Sequence, residues 1–205
     1  MAGPPGPPPR PGLQWREITH RWVRPVESTG NAGLEAPRVE LWEKTLWSKV
    51  SAEHSDVAPP HDFKSIAYLV PILHIDRVTE FEFRSKSPRS NVGGRYFWEA
   101  GQVSIYPGGR QVSSIIHEIG HAVHLGSISN LSILSGRIRH AVKREYSSAL
   151  DTGSGFPSEY ASKNVEEFFA ECYATYAMDP KKLLKRNPKM YQVMQEVFSE
   201  QSNDN

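Results

Sequence analysis

RQVSSIIHEIGHAVHLG, residues 110 to 126, has the clearest periodic pattern in the chain. Its apolar side chains recur at spacings of three and four, at Val112, Ile115, Ile116, Ile119 and Val123. This period predicts an amphipathic helix from about Arg110 to Leu125, ended near Gly126. The candidate site described below depends on a helix at this position.

The same stretch contains the pattern HExxH, at His117, Glu118 and His121. Histidines four residues apart leave one helix face one turn apart, so both imidazoles can reach one tetrahedral Zn²⁺. Glu118 lies beside the first histidine without having to bind the metal, which makes it a candidate general base. The glycine between the histidines, Gly120, suggests a close approach by a sheet and a substrate, because glycine otherwise weakens a helix interior.

His124 is a third histidine in the stretch. In metzincins the motif extends to HExxHxxGxxH, with a glycine and then a third histidine ligand. Here His124 stands at the glycine position and Ser127 at the position of the third histidine. We therefore expect His124 to lie behind the ligands or at the surface, and a third ligand to come from elsewhere.

The segment SEYASKNVEEFFAECYATY, residues 158 to 176, is the best donor of that ligand. Glu167 and Glu171 lie four apart on one predicted helix face. One carboxylate can complete a His₂Glu site, while the other orients a ligand imidazole. The competing interpretation is a solvated stripe formed by Glu166, Glu167 and Glu171.

The rest of the chain predicts an α+β domain with a small sheet and a mostly helical C-terminal half. Upstream we expect a helix from Glu35 to about Glu53, a buried strand at Ile66 to Val70 and an alternating strand at Val78 to Arg84. A loop at Ser87 to Gly94 leads into a hairpin of Arg95 to Trp98 and Gln102 to Tyr106. Downstream we expect helices around Leu131 to Leu150 and Asn164 to Met178, and two more opening at Asp179-Pro180 and Asn187-Pro188.

Composition places few limits on function. The 205 residues suit one domain, predicted over residues 13–200, between a Pro-rich leader at 1–12 and a flexible tail at 201–205. A flexible leader is favoured over a ligand for a proline-binding partner. With 24 basic and 23 acidic side chains and no long apolar run, nothing points to nucleic acid or membrane insertion. The single cysteine, Cys172, excludes an internal disulfide and leaves the redox compartment open.

HEIGHAV together with YASKNVEEFFAE resembles the zinc peptidase domain of anthrax lethal factor and the related Pro-Pro endopeptidases. That family pairs HExxHA with a downstream tyrosine and, seven residues later, a glutamate that opens an E-F-F-A-E element. Tyr160 and Glu167 have this spacing, and residues 167 to 171 repeat the element in full. The resemblance covers about residues 110 to 178 and reaches back through the hairpin at 95 to 106.

The resemblance implies a zincin-like fold and one Zn²⁺ per chain, bound by His117, His121 and Glu167. It also implies Glu118 as the base, Tyr160 as the hydroxyl donor to the oxyanion, and Glu171 as a partner of the ligands. We therefore expect a monomeric zinc endopeptidase, with a toxin-like, secreted or injected effector favoured as its context. A regulatory or processing peptidase inside the cell and a non-catalytic zinc-binding interaction domain remain as alternatives.

We expect the protein or peptide substrate to bind as an extended strand, along either Gln102 to Tyr106 or Arg95 to Trp98. Tyr96, Trp98 and Tyr106 could stack on proline rings there, although at least half of these aromatics should belong to the core. The sequence leaves a preference for Pro-Pro bonds open.

Overall fold

The computed structural model describes residues 14–16, 21–23, 35–90, 92–126, 132 and 134–199. The predicted leader and tail lie outside these residues, as does Ser127. Five strands are present in this part of the chain: β1 (Gln14–Arg16), β2 (Arg21–Val23), β3 (Glu80–Phe83), β4 (Gly94–Phe97) and β5 (Gln102–Ile105). Its helices are α1 (Glu35–Ser48), α2 (Ile66–Leu69), α3 (Ile72–Ile75), α4 (Val112–Leu125), α5 (Gly136–Thr152), α6 (Val165–Met178), α7 (Pro180–Arg186) and α8 (Pro188–Ser199). The α+β class is confirmed.

The strands form two small sheets. β1 and β2 pair antiparallel, and the other three strands lie in the order β3-β5-β4. β4 and β5 form the predicted antiparallel hairpin, whereas β3 runs parallel to β5. β5 is therefore the central strand, and β4 is an outer strand of its sheet among the described residues.

One face of the three-stranded sheet packs into the core. Alternating residues of β3 and β5 turn toward it, and Phe81, Phe83, Val103 and Ile105 are fully buried. Phe63 contacts Phe81 and Phe83 edge to face, with ring centroids 5.5 and 5.3 Å apart. The predicted apolar stripe of α4 lies in the same core, with Ile115, Ile116 and Ile119 fully buried.

The predicted strand at Ile66 to Val70 was wrong, because residues 66–69 form helix α2 after a 3₁₀ turn at Phe63–Ser65. Phe63, Ile66, Ala67 and Val70 are buried and Tyr68 is exposed, which is a helical spacing of buried positions. A short apolar run cannot distinguish a strand from a buried helix by its composition. Helix α1 also ends at Ser48 rather than near Glu53.

Helix ends in the C-terminal half agree with the predicted caps. Asn164 begins α6 by accepting a hydrogen bond from the backbone N–H of Glu167 at 2.7 Å. Asp179 and Asn187 cap α7 and α8 in the same way, and Pro180 and Pro188 occupy the first helical positions. Helix α5 begins at Gly136, later than predicted. Within the described residues, none of the helices combines the length and the apolar character that crossing a membrane requires.

Helices α4 and α6 pack against each other across Gly120. A Cβ at Gly120 would lie 3.1 Å from the Cα of Ala170 and 3.2 Å from the Cβ of Tyr173. The expectation that this glycine faces a sheet and a substrate was therefore wrong, because helix α6 occupies that side. The close approach brings the carboxylates of α6 within reach of the histidines of α4.

Candidate metal centre and active site

Three ligand atoms from α4 and α6 converge on one point. Nε2 of His117 lies 3.0 Å from Oε2 of Glu167 and 3.1 Å from Nε2 of His121. Nε2 of His121 lies 3.2 Å from the same Glu167 oxygen. These three residues form a group that could hold a metal ion.

The size of this triangle fits zinc. Ligand atoms at about 2.0–2.1 Å from a tetrahedral Zn²⁺ are separated by about 3.3 Å from one another. The separations of 3.0 to 3.2 Å are slightly shorter than that value. Two imidazole nitrogens and one carboxylate oxygen are also the donor set of known His₂Glu zinc sites with an open position.

Charge in the cluster also fits a cation. Burial would lower the pKa of His117, but hydrogen bonds with Glu167 and Glu171 raise it to about 10. Burial likewise opposes ionisation of Glu167, yet hydrogen bonds with His117 and His121 hold its pKa well below the usual range. The carboxylates thus stabilise positive charge at the imidazoles, which a divalent cation would supply in place of a proton.

Glu171 holds the other side of His117. Its Oε1 lies 2.9 Å from Nδ1 of that histidine, and its Oε2 accepts a hydrogen bond from Ser158 at 2.5 Å. The competing interpretation, a stripe of solvated glutamates, is wrong for Glu167 and Glu171, since both contact the histidines. Ser158 was not identified from the sequence, although it opens the segment that was singled out.

Glu118 lies beside the triangle and is nearly inaccessible to solvent, at 6% exposure. Burial raises its pKa, while the charges of His117 and His121 and a backbone hydrogen bond from Tyr96 on β4 oppose the rise. A buried carboxylate with a raised pKa is suited to proton transfer.

Tyr160 completes the group from a 3₁₀ turn just before α6. Its hydroxyl donates a hydrogen bond to Oε1 of Glu167 at 3.2 Å, and its ring lies edge-on to His117 with centroids 5.9 Å apart. Burial, together with the nearby Glu167, raises the pKa of Tyr160 to about 12, so the hydroxyl remains a donor at neutral pH. The Nζ of Lys163 lies 3.5 Å from the centre of the Tyr160 ring.

Four of the predicted site residues, His117, Glu118, Tyr160 and Glu171, line one cleft of about 490 Å³. Gly94 of β4, Ser114 of α4, Thr175 of α6 and Lys163, just before α6, line it too. His121 and Glu167 adjoin the cleft through their contacts with His117, so all six predicted site residues lie close together. Gly94 and Lys163 were not singled out from the sequence.

The family model for anthrax toxin lethal factor, N- and C-terminal domain, matches residues 94–197, just over half of the chain. The chain belongs to the anthrax toxin lethal factor family. The matched region begins with β4 and ends in α8, so it contains every residue of the candidate site. Among curated proteins, none matches the chain.

His124 of this lethal factor family member lies outside the triangle. It is buried, and its ring stacks on Phe169 with centroids 4.6 Å apart and planes inclined by 16°. The option of a surface position was therefore wrong. Burial, and then electrostatic repulsion from His121, Arg139 and Lys143, lowers its pKa to about 4, so this imidazole is neutral at neutral pH.

A second group of possible ligand atoms, from His54, Glu80 and Glu82, lies on β3 and the segment before it. The carboxylates of this group already have partners. Glu82 accepts hydrogen bonds from Arg84, Gln102 and Ser104, and Glu80 lies 3.2 Å from Nδ1 of His54. Ion pairs and hydrogen bonds account for this cluster, which lies outside the matched region.

Proposed function

We propose that this chain is a zinc-dependent endopeptidase with a zincin-like active site, acting on a protein substrate in a toxin-like, effector context. The observation that carries the proposal is the convergence of Nε2 of His117, Nε2 of His121 and Oε2 of Glu167 within 3.2 Å of one another. Glu118 beside them supplies a base that a purely structural zinc site does not need. The context rests on membership of the lethal factor family.

His117, His121 and Glu167 would hold the zinc. When bound there, Zn²⁺ supplies Lewis acidity that polarises a peptide carbonyl and makes a water nucleophilic near pH 7. Glu171 fixes the ring of His117 through Nδ1, so that Nε2 faces the metal position. The predicted single zinc ion and the monomeric state stay predictions.

The substrate backbone would run along the edge of β4 that pairs with no other strand among the described residues. The alternative strand, Gln102 to Tyr106, is paired on both sides, with β3 and with β4. β4 has one paired edge among the described residues, and its first residue, Gly94, lines the cleft in which Glu118 and Tyr160 lie. An extended peptide added there would present one carbonyl to the triangle.

Two side chains would carry the proton and the charge. Glu118 takes the proton from the attacking water and delivers it to the departing amine nitrogen. The hydroxyl of Tyr160 moves its hydrogen bond from Glu167 to the oxygen of the tetrahedral intermediate, where the negative charge develops. Both groups start from positions in the same cleft.

A closed structural zinc site is less well supported. Such a site takes four protein ligands, commonly with cysteine. The only cysteine of the chain, Cys172, is fully buried and lies outside the group of possible ligands. A processing or regulatory peptidase would use the same chemistry, and its substrate would separate it from an effector.

The test is cleavage of a peptide library by the zinc-loaded protein, with and without a chelator, and by Glu118→Ala. We expect cleavage that the chelator abolishes, that zinc restores, and that Glu118→Ala lacks. Glu166→Ala is the matched control, because this neighbouring glutamate lies next to Glu167 outside the group of ligands. Chelator-resistant cleavage, or the absence of any cleavage, would contradict the proposal.

The same library tests the proline question. Trp98 is the one large aromatic of the hairpin that is mainly exposed, at 51%, whereas Tyr106 is buried. Tyr96 is partly buried, and its hydroxyl donates a hydrogen bond to the carbonyl of Gly126 at 2.6 Å. Trp98 therefore remains available for stacking on a proline ring, and enrichment of proline around the cleaved bond would support such a preference.

A further inference from the structure

Gly94, the first residue of β4, faces the side chain of Glu118 across the cleft. A Cβ built on Gly94 would lie 2.6 Å from Oε1, 2.9 Å from Cγ and 3.0 Å from Cδ of Glu118. Real Cβ atoms essentially never lie this close to a neighbouring atom, so a side chain at Gly94 and the present position of Glu118 exclude each other. The backbone angles of Gly94 are not in the left-handed region, so space and not backbone conformation requires the glycine.

Glu118 has little freedom to move away. It is buried on α4, and the backbone of Tyr96, two residues after Gly94 on the same strand, favours its ionised form. The overlap would also involve Cγ and Cδ, so rotation of the terminal carboxylate alone would not relieve it. The strand thus limits where the carboxylate can lie, and the bare Cα of Gly94 is the point of close approach.

We propose that Gly94 is a positioning residue, whose missing side chain lets Glu118 lie against β4 at the point where it can serve as the base. The claim that Glu118 serves as the base rests on the proposed function. The claim that Gly94 leaves room for Glu118 rests only on the packing of these two residues. The two claims can be tested separately.

The first test measures stability in a double-mutant cycle on the metal-free protein. Gly94→Ala in the wild-type background forces Glu118 or β4 to shift, and we expect the melting temperature to fall by about 2–8 °C. Glu118→Ala removes the three atoms that would lie nearest to the new Cβ. In that background we expect Gly94→Ala to lower the melting temperature by less than about 1 °C. An equal fall in both backgrounds would overturn the proposal.

The second test measures kinetics of the zinc-loaded enzyme on a cleaved peptide. We expect Gly94→Ala to lower kcat by about 10²-fold with KM changed less than about threefold, because a base displaced by about 1 Å fails in the chemical step. Zinc content should equal that of the wild type, because the three atoms nearest to a Cβ at Gly94 all belong to Glu118 and none to His117, His121 or Glu167. A raised KM with unchanged kcat would overturn the positioning role.

Gly108 provides the matched control. It lies in the turn between β5 and α4, and a Cβ built there would meet no atom within 4 Å. We expect Gly108→Ala to keep both the melting temperature and kcat of the wild type. A loss of kcat in Gly108→Ala as large as in Gly94→Ala would assign the effect to backbone stiffening and overturn the proposal.

The two proposals fail in different ways. A wild-type protein without chelator-sensitive cleavage would contradict the proposed function, and the stability cycle would still decide whether Gly94 holds Glu118 in place. Conversely, an active wild type combined with an active Gly94→Ala would remove the positioning role and leave the proposed function standing.

Discussion

His117 and Glu171 are joined through the ring nitrogen that faces away from the metal position, with 2.9 Å between Nδ1 and Oε1. Nε2 of the same ring lies 3.0 Å from Glu167. One histidine of α4 is therefore held between two glutamates of α6 that are one helical turn apart. In the proposed site Glu167 binds the metal and Glu171 orients His117, and substitutions can distinguish these two roles.

Glu171→Gln should weaken zinc binding by about 10–100-fold without abolishing it. The carboxamide would still contact His117 but would no longer supply the charge that makes Nε2 a stronger ligand. Competition with a chromophoric chelator measures the affinity. Glu166→Gln is the control, and an affinity equal to that of the wild type in Glu171→Gln would contradict the role of Glu171.

Glu167→Ala should lose zinc, whereas Glu118→Ala should keep it. Glu167 supplies one of the three converging ligand atoms, while Glu118 is not part of that group. Metal analysis after dialysis against a buffer containing a weak chelator distinguishes the variants. Equal zinc content in wild type and Glu167→Ala would refute Glu167 as the third ligand.

Tyr160→Phe should lower turnover by about 10²–10³-fold, because removal of one hydrogen-bond donor to an oxyanion commonly has this effect. The ring and its contact with His117 remain, so zinc content should be unchanged. Steady-state kinetics on a library-derived peptide measure the loss. Tyr68→Phe, which removes an exposed hydroxyl bonded to Glu43, is the control and should be fully active.

His124→Leu should make stability less sensitive to acid. Burial lowers the pKa of His124 from 6.5 to about 4, so the unfolded state binds the proton first as the pH falls. Stability linked to this neutral imidazole is fully present above pH 6.5 and is lost progressively toward pH 4. Between pH 7.5 and pH 5 the wild type should lose about 2 kcal/mol that the variant does not lose.

Urea unfolding of the two metal-free proteins at both pH values measures this difference, since the other titrating groups are common to both. Zinc occupancy of His124→Leu should equal that of the wild type, because His124 stacks on Phe169 and lies outside the triangle. A metal-free variant would restore His124 as a ligand, and an identical loss of stability in both proteins would contradict the lowered pKa.

Local patterns predicted the elements that carry the site. The i, i+3, i+4 period of residues 112–125 identified α4, and Asn164, Asp179 and Asn187 marked helix starts that the structure confirms. The hairpin of β4 and β5 also followed from two short β-prone runs separated by a turn at residues 99–101, and Gly101 lies in the left-handed region at φ 68°. These features depend on neighbours within a few residues, which a sequence displays directly.

Local sequence patterns did not predict the contacts between distant segments. The parallel pairing of β3 with β5 joins residues about 22 positions apart in the register, and no local signal specifies it. Residues 66–69 form a helix, and the buried positions Ile66, Ala67 and Val70 belong to the same core cluster as Phe81 and Phe83, which lie far along the sequence. Gly120 was noticed, but only the structure shows that its partner is α6.

The spacing of His117, Glu118 and His121 on one helix, and of Glu167 and Glu171 on another, indicated a metal site, and the resemblance to the lethal factor family implied the role of each residue and added Tyr160. Helical geometry fixes which of these side chains share a face, because it depends only on residue number. The approach of α4 and α6 across Gly120 decided that the ligand atoms meet within 3.2 Å, and β4 decided where Glu118 lies. Such distances arise from packing of remote segments, in which a single missing Cβ at Gly94 makes room for the base.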